Sequence, residues 1–193
     1  DARADEPMLA AARYLGHRLG RDPRLPEALF AWTSPLFDEE SGPAALLRRA
    51  ACWISDSGSH DHPDYRAEQA FLRVLRQPGV GLDHHARAFL ALTVALRYEA
   101  ASDAPFLATS RVLLDVNAVR RAGALGAAPR LAFTLSGGTP ELLAGTRLAH
   151  RGGRLVLRLV EGSGVFAGES VMRRVEALAA TLGLEAAVEI SGG

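Results

Sequence analysis

Ten consecutive positions, Ser55 to Asp64, hold three serines, three aspartates and two histidines. Hydroxyl, carboxylate and imidazole are the groups that ligate divalent cations, move protons and activate nucleophiles. An apolar run, Leu46–Ile54, leads into this stretch and a second apolar pattern starts at Ala67, so the polar segment reads as a loop between two helices. Three chemistries compete for it: a metal centre, a nucleophilic triad, and a solvated loop held by local Ser and Asp hydrogen bonds.

The metal chemistry has a known template. All-α phosphohydrolases of the HD type place a His-Asp pair at the end of a helix and add His and Asp ligands from other helices. The ions they hold generate hydroxide near neutral pH and clamp phosphate oxygens. At the equivalent place this chain has Ser55-Asp56, and a serine hydroxyl is a poor substitute for imidazole. Upstream only His17 is available, on a separate stretch. No metal ligands and no catalytic residues are therefore assigned, and His60 and His62 are expected in a solvated loop. His84-His85 is no better placed, because neighbours on a helix point about 100° apart and one is expected toward the core and one toward water. A triad needs convergence from distant segments, and the chain lacks a Gly-x-Ser-x-Gly elbow. Ser136-Gly137-Gly138-Thr139 resembles a phosphate loop in composition. No strand with an acidic metal-binding residue precedes it, so a helix C-cap and turn is the expectation. Walker loops, zincin helices and Cys-x-x-Cys pairs are missing.

These residues need a scaffold, and composition says one can form. The sequence has 193 residues, 48% of them hydrophobic. That suits one domain with a good core or one domain plus a small appendage. Basic and acidic residues balance at 22 each, so no global field recruits nucleic acid or an anionic membrane. Every basic residue is arginine, whose planar fork suits phosphate. Arg48 and Arg49 are expected side by side on the polar side of the Leu46–Ile54 helix. Residues 111–130 hold Arg111, Arg120, Arg121 and Arg130 against a single acid, Asp115, which gives a modest basic face or a solvated helix surface. Cys52, the single cysteine, reads as a buried small hydrophobe in a reducing compartment. Asp1 in place of Met fits a piece of a longer polypeptide.

Helical spacing of Met8, Ala12, Leu15 and Leu19 gives a first helix. Pro26 opens a second, bent or ended near Pro35. Residues 38–43 form a turn. Ala67–Leu75 is a helix ended by Pro78-Gly79. Asp83 caps a helix whose apolar residues run nearly all round from Ala86 to Tyr98, the pattern of a central buried element. Arg97 and Glu99 close that helix, and a buried charge there must find a partner. Asp115 caps a long helix to about Leu135, with Pro129 as a possible kink. After Gly138 come a hairpin (146–149 and 154–160, turning at Arg151-Gly152-Gly153), a helix from Val171 to Leu182 and a strand at 186–190. The fold expected is mainly α: a helical domain over 1–138 and a small β-β-α-β unit over 139–193, too small to stand without packing on the first.

The run Ala50-Ala51-Cys52-Trp53-Ile54-Ser55-Asp56-Ser57-Gly58 with His62-Pro63-Asp64-Tyr65-Arg66 resembles the C-terminal region of the exopolyphosphatase and guanosine pentaphosphate phosphatase family, in its α-proteobacterial form. Phe30-Ala31-Trp32-Thr33-Ser34-Pro35-Leu36-Phe37 fits the same region. So do Asp83-His84 with Arg87-Ala88-Phe89-Leu90-Ala91-Leu92, and Arg130-Leu131-Ala132-Phe133-Thr134-Leu135-Ser136-Gly137-Gly138. The resemblance implies a degenerate HD-like helical domain followed by a small α+β unit, the second half of a cytoplasmic hydrolase. The first half, absent here, would be an actin-like phosphatase carrying the phosphate loops and its Mg2+. Gly58, His62 and Tyr65 match family loop positions, whereas Ser57 and Ser59 stand where larger apolar residues are commoner, implying a looser loop. The module would be non-catalytic, need no cofactor of its own, help to bind polyphosphate or pppGpp and support a homodimer. Its candidate ligands are Arg48, Arg49, His60, His62, Arg66, Arg97, Arg120 and Arg121. The alternative is a stand-alone HD-type metal phosphohydrolase acting on a nucleotide.

Overall fold

The computed structural model describes residues 2–37, 39–78 and 83–191, with side chains from Pro7 onward. Helices come first: α1 (Ala2–Leu19), α2 (Leu25–Thr33), α3 (Gly42–Ile54), α4 (Arg66–Leu75), α5 (His84–Arg97), α6 (Ala108–Leu113), α7 (Val116–Ser136) and the single turn α8 (Pro140–Leu143). Then follow β1 (Thr146–Arg151), β2 (Arg154–Val160), α9 (Glu169–Leu182) and β3 (Glu185–Ser191). The architecture is mainly α with a small α+β unit, as the sequence pattern predicts. Gly79, in the expected stop after α4, and Asp38, in the expected turn, lie outside the described residues.

Helix starts follow local chemistry. Ser41, Asp83 and Asp115 each accept a hydrogen bond from the backbone N–H three residues on, which satisfies a donor the helix itself leaves free. α2 carries Pro26 in its first turn and ends before Pro35, where a 3-10 turn, Ser34–Leu36, takes over. Pro129 lies within α7, which runs through it unbroken as a single helix. The segment 105–113, a 3-10 turn plus α6, has no apolar period strong enough to announce it.

Two apolar clusters organise the packing. One joins α1, α3, α4 and α5, with Phe71, Phe89 and Leu107 wholly buried. α5 is central: Ala88 to Ala95 are all buried, as all-round apolar character requires. The other cluster joins Leu25, Leu29 and Trp32 of α2, Ala127 to Leu135 of α7, Leu155, Leu157 and Leu159 of β2, and Val175 and Leu178 of α9. The small sheet thus gains its core by lying on helices from earlier in the chain. Trp32 Nε1 donates to Thr146 Oγ1 at 2.9 Å and pins α2 to β1.

The sheet order is β1-β2-β3. β1 and β2 are antiparallel, joined through Gly152-Gly153, both at positive φ as a tight two-residue hairpin turn demands. β3 runs parallel to β2, with α9 as the crossover. Glu185 and Glu189 of β3 pair with Arg154 and Arg158 of β2.

Candidate anion-binding site

The loop that carries Asp56 is set by a close helix crossing. A Cβ on Gly16 would sit 2.6 Å from the Trp53 carbonyl oxygen, so only glycine lets α1 approach α3 this closely. That approach brings Arg21, just past the end of α1, onto Asp56. The Arg21 backbone N–H donates to Oδ2 at 2.9 Å, its Nη2 to Oδ1 at 2.8 Å and its Nε to Oδ2 at 3.1 Å. This two-pronged pair is the strong form of a guanidinium–carboxylate contact. Hydrogen bonding to Asp56 raises the Arg21 pKa above its ordinary value. Asp56 is 6% exposed.

The carboxylate of the Ser55-Asp56 pair is thus already occupied by a fixed cation. Among the described residues no three His, Cys, Asp or Glu side chains gather in a way that could hold a metal ion. The described residues therefore offer no ligand set for Mg2+ or a dinuclear centre. His60 and His62 are exposed, and His62 Nδ1 accepts from the Asp64 N–H at 3.3 Å. His84 and His85 are both exposed, so the expectation that one faces the core is corrected: they lie in the first turn of α5, ahead of its buried stretch. His17 packs on Trp53, ring centroids 4.8 Å apart.

On the other side of the loop stands Tyr98, at the C-cap of α5. Its hydroxyl accepts from the Gly58 N–H at 2.8 Å. A Cβ on Gly58 would lie 2.7 Å from the ring, so glycine is required here by contact. The loop expected to be loose is thus tied at both ends: Ser55, Asp56, Ser57 and Gly58 are all buried. Arg73 holds its far end through the Ser57 carbonyl and Asp61.

Two of the expected ligand arginines converge on that ring. The guanidinium carbon of Arg97 lies 4.7 Å from the Tyr98 centroid and 4.4 Å from that of Phe133. Arg66 reaches the Tyr98 ring at 5.8 Å, and Arg21 the Phe133 ring at 5.1 Å. Stacking of this kind is worth about 0.5–2 kcal/mol and leaves the N–H edges free. Burial pushes the Arg97 pKa down to about 10 and pushes the Tyr98 hydroxyl up. Arg97 was expected to find a buried partner; among the described residues it makes no ion pair. Its neighbour Glu99, at φ 65°, turns to Arg174 at 2.5 Å and Arg130 at 3.5 Å instead.

The remaining expected ligands lie elsewhere. Arg48 was placed with Arg49 on a polar helix side, and this is corrected: Arg48 is 3% exposed. Its guanidinium lies 3.9 Å over the Phe30 ring and donates to Glu40, the Phe30 carbonyl and Thr33. Arg49 pairs with Glu27. Arg121 bonds Glu40 and the Ala44 carbonyl, Arg111 caps loop carbonyls near Ser102, and Arg130 donates to the Leu96 carbonyl. Of the four arginines over 111–130, for which a basic face and a solvated helix surface were both open, Arg111 and Arg120 are exposed and Arg121 and Arg130 are half-buried on protein acceptors. Cys52 is buried, and burial raises its thiol to about 12.

Sequence reasoning missed Arg21, Tyr98 and Phe133. Arg21 and Asp56 are 35 residues apart, and no local period links them. A model of the family described as exopolyphosphatase, C-terminal, matches residues 9–188, and the chain belongs to that family. A comparison with curated proteins finds no match.

Proposed function

We propose that this member of the exopolyphosphatase C-terminal family is the part of a phosphoanhydride hydrolase that grips its anionic substrate and leaves bond cleavage to an N-terminal actin-like half. The observation that carries this is the Arg21–Asp56 pair. A carboxylate that could have held an activating cation is committed to a guanidinium, and two further arginines gather within 6 Å of the adjoining Tyr98 ring. Such a locus attracts phosphate. The substrate is inorganic polyphosphate or the related pppGpp, and Mg2+ serves the catalytic half. Among the described residues no helix is long and apolar enough to cross a membrane, and the buried single thiol suits a cytoplasmic setting.

The test is hydrolysis of long-chain polyphosphate by residues 1–193, alone and joined to the catalytic half. Expected are no turnover alone and salt-sensitive retention of the chain on immobilised polyphosphate. Metal-dependent turnover by residues 1–193 at enzymatic speed would refute the proposal and restore the stand-alone phosphohydrolase.

A second role, self-association, is favoured by one patch. Val112, Leu113 and Val116, where α6 meets α7, are 85%, 45% and 74% exposed. Clustered exposed aliphatic side chains mark contact surfaces. Sedimentation equilibrium over a range of concentrations should show a reversible dimer, weakened by Val116→Asp; a monomer throughout removes this role.

A further inference from the structure

Arg66 and Arg97 differ from every other buried or half-buried arginine among the described residues. The others all donate to a carboxylate, hydroxyl or carbonyl, as buried guanidinium groups must. Arg66 and Arg97 are half-buried, yet neither side chain donates a hydrogen bond or forms an ion pair within the described protein. Their Nε atoms are shut off from solvent and have no partner. The Ser57 hydroxyl, one residue before the glycine that touches Tyr98, is likewise buried without a partner. Two guanidinium groups with unsatisfied donors therefore border one aromatic ring. Leaving such groups unpaired costs about 1–3 kcal/mol each, more when charged.

Charge points the same way. Arg21 neutralises Asp56, and Arg66 and Arg97 form no ion pair among the described residues. The excess is two positive charges, matched by one phosphate dianion. Arg97 lies over the rings of Tyr98 and Phe133 and Arg66 over that of Tyr98, and a guanidinium held over a ring keeps its N–H groups for oxygen atoms.

We infer that Arg66 and Arg97 form a seat for a single tetrahedral phosphate group beside Tyr98. That this group belongs to a polyphosphate chain rests on the function proposed above; the seat itself does not. Arg97 and Arg66 are its ligands, Asp56 and Arg21 fix the loop, and Tyr98 orients both arginines.

The test is calorimetric titration of residues 1–193 with orthophosphate, tripolyphosphate and long-chain polyphosphate, on the parent and on Arg66→Gln, Arg97→Gln and the exposed control Arg151→Gln. Loss of one charge-assisted contact should weaken binding about 10- to 100-fold in either site variant and leave the control unchanged. Orthophosphate binding lost in both site variants identifies a seat for the free ion. Binding confined to the chain forms, with the same loss, identifies a phosphoryl group within a chain. Orthophosphate bound through Arg97 while long chains are not bound would overturn the polyphosphate reading and leave the seat standing. Unchanged affinity in folded Arg66→Gln and Arg97→Gln, or no binding of any probe, overturns the seat.

Melting curves give a second readout. A merely structural arginine lowers the melting temperature when removed. Arg97→Gln should melt no lower than the parent without phosphate, because an uncompensated buried charge is gone, and should lose the stabilisation that phosphate confers on the parent. If Arg97→Gln fails to fold, Arg66→Gln carries the test, since that side chain bonds nothing in the described protein.

Discussion

Replacing Glu40 by glutamine should destabilise the fold by about 3 kcal/mol. The Glu40 side chain is 7% exposed and lies between two arginines. Its Oε1 accepts from Arg48 Nε at 2.7 Å and its Oε2 accepts from Arg121. Arg48 is as deeply buried, sandwiched against Phe30 and Phe37, so it cannot turn to water when its counter-charge goes. Breaking a buried pair from one side costs about 3–5 kcal/mol because the remaining charge is stranded. Two features reduce that figure. Glutamine keeps one carbonyl acceptor, worth about 1 kcal/mol, and Arg48 retains the Phe30 carbonyl and Thr33 as acceptors. Loss of the part-exposed Arg121 contact adds up to about 1 kcal/mol. For a chain of this length about 3 kcal/mol lowers the melting temperature by roughly 6–12 °C. Urea unfolding followed by tryptophan fluorescence and circular dichroism should show a lower midpoint with an unchanged slope. The exposed neighbour variant Glu39→Gln should stay within about 0.5 kcal/mol of the parent. Glu40→Leu combined with Arg48→Met should recover part of the loss, since no charge is then left buried. A Glu40→Gln protein as stable as Glu39→Gln would refute the view that this carboxylate neutralises two inward-facing arginines.

Gly58→Ala should cost about 1–3 kcal/mol and disturb Tyr98, because the added methyl meets the ring at 2.7 Å; unchanged tyrosine near-ultraviolet dichroism and stability would count against that contact. Glu99 offers a pH dependence. Its hydrogen bond from Arg174 holds its pKa below the ordinary glutamate value of about 4.3, so its contribution is fully present above that pH and is lost as pH falls through the lowered folded value. Glu99 is more than half exposed, which keeps the effect below about 1 kcal/mol. Arg174→Gln should flatten this part of the acid limb of the stability curve, and an unaltered limb would sink the assignment.

Local chemistry alone determined much of this protein. The caps at Asp83 and Asp115, the stop before Pro35, the Gly152-Gly153 hairpin turn and the all-round burial of α5 follow from propensities that act within a few residues. The sequence also showed that the Ser55-Asp56 loop lacks the imidazole of a metal-binding pair. It could not place Arg48, because helical periodicity gives an angle around the axis and not what packs at that angle; α2 and the residues before α3 close over it, bringing Phe30, Thr33 and Glu40. Nor could it show β3 running parallel to β2, since strand alternation reports which face is buried and not which neighbour is paired. The arginine seat is the clearest case. Arg66 and Arg97 were legible as residues of the right type, but Arg21, Asp56 and Phe133 come from three other segments, and Tyr98, adjacent to Arg97, meets Arg66 only through the fold. Only the close crossing of α1 on α3 and the end of α5 against the loop bring those segments together, and long-range packing of that kind leaves no periodic trace in the chain.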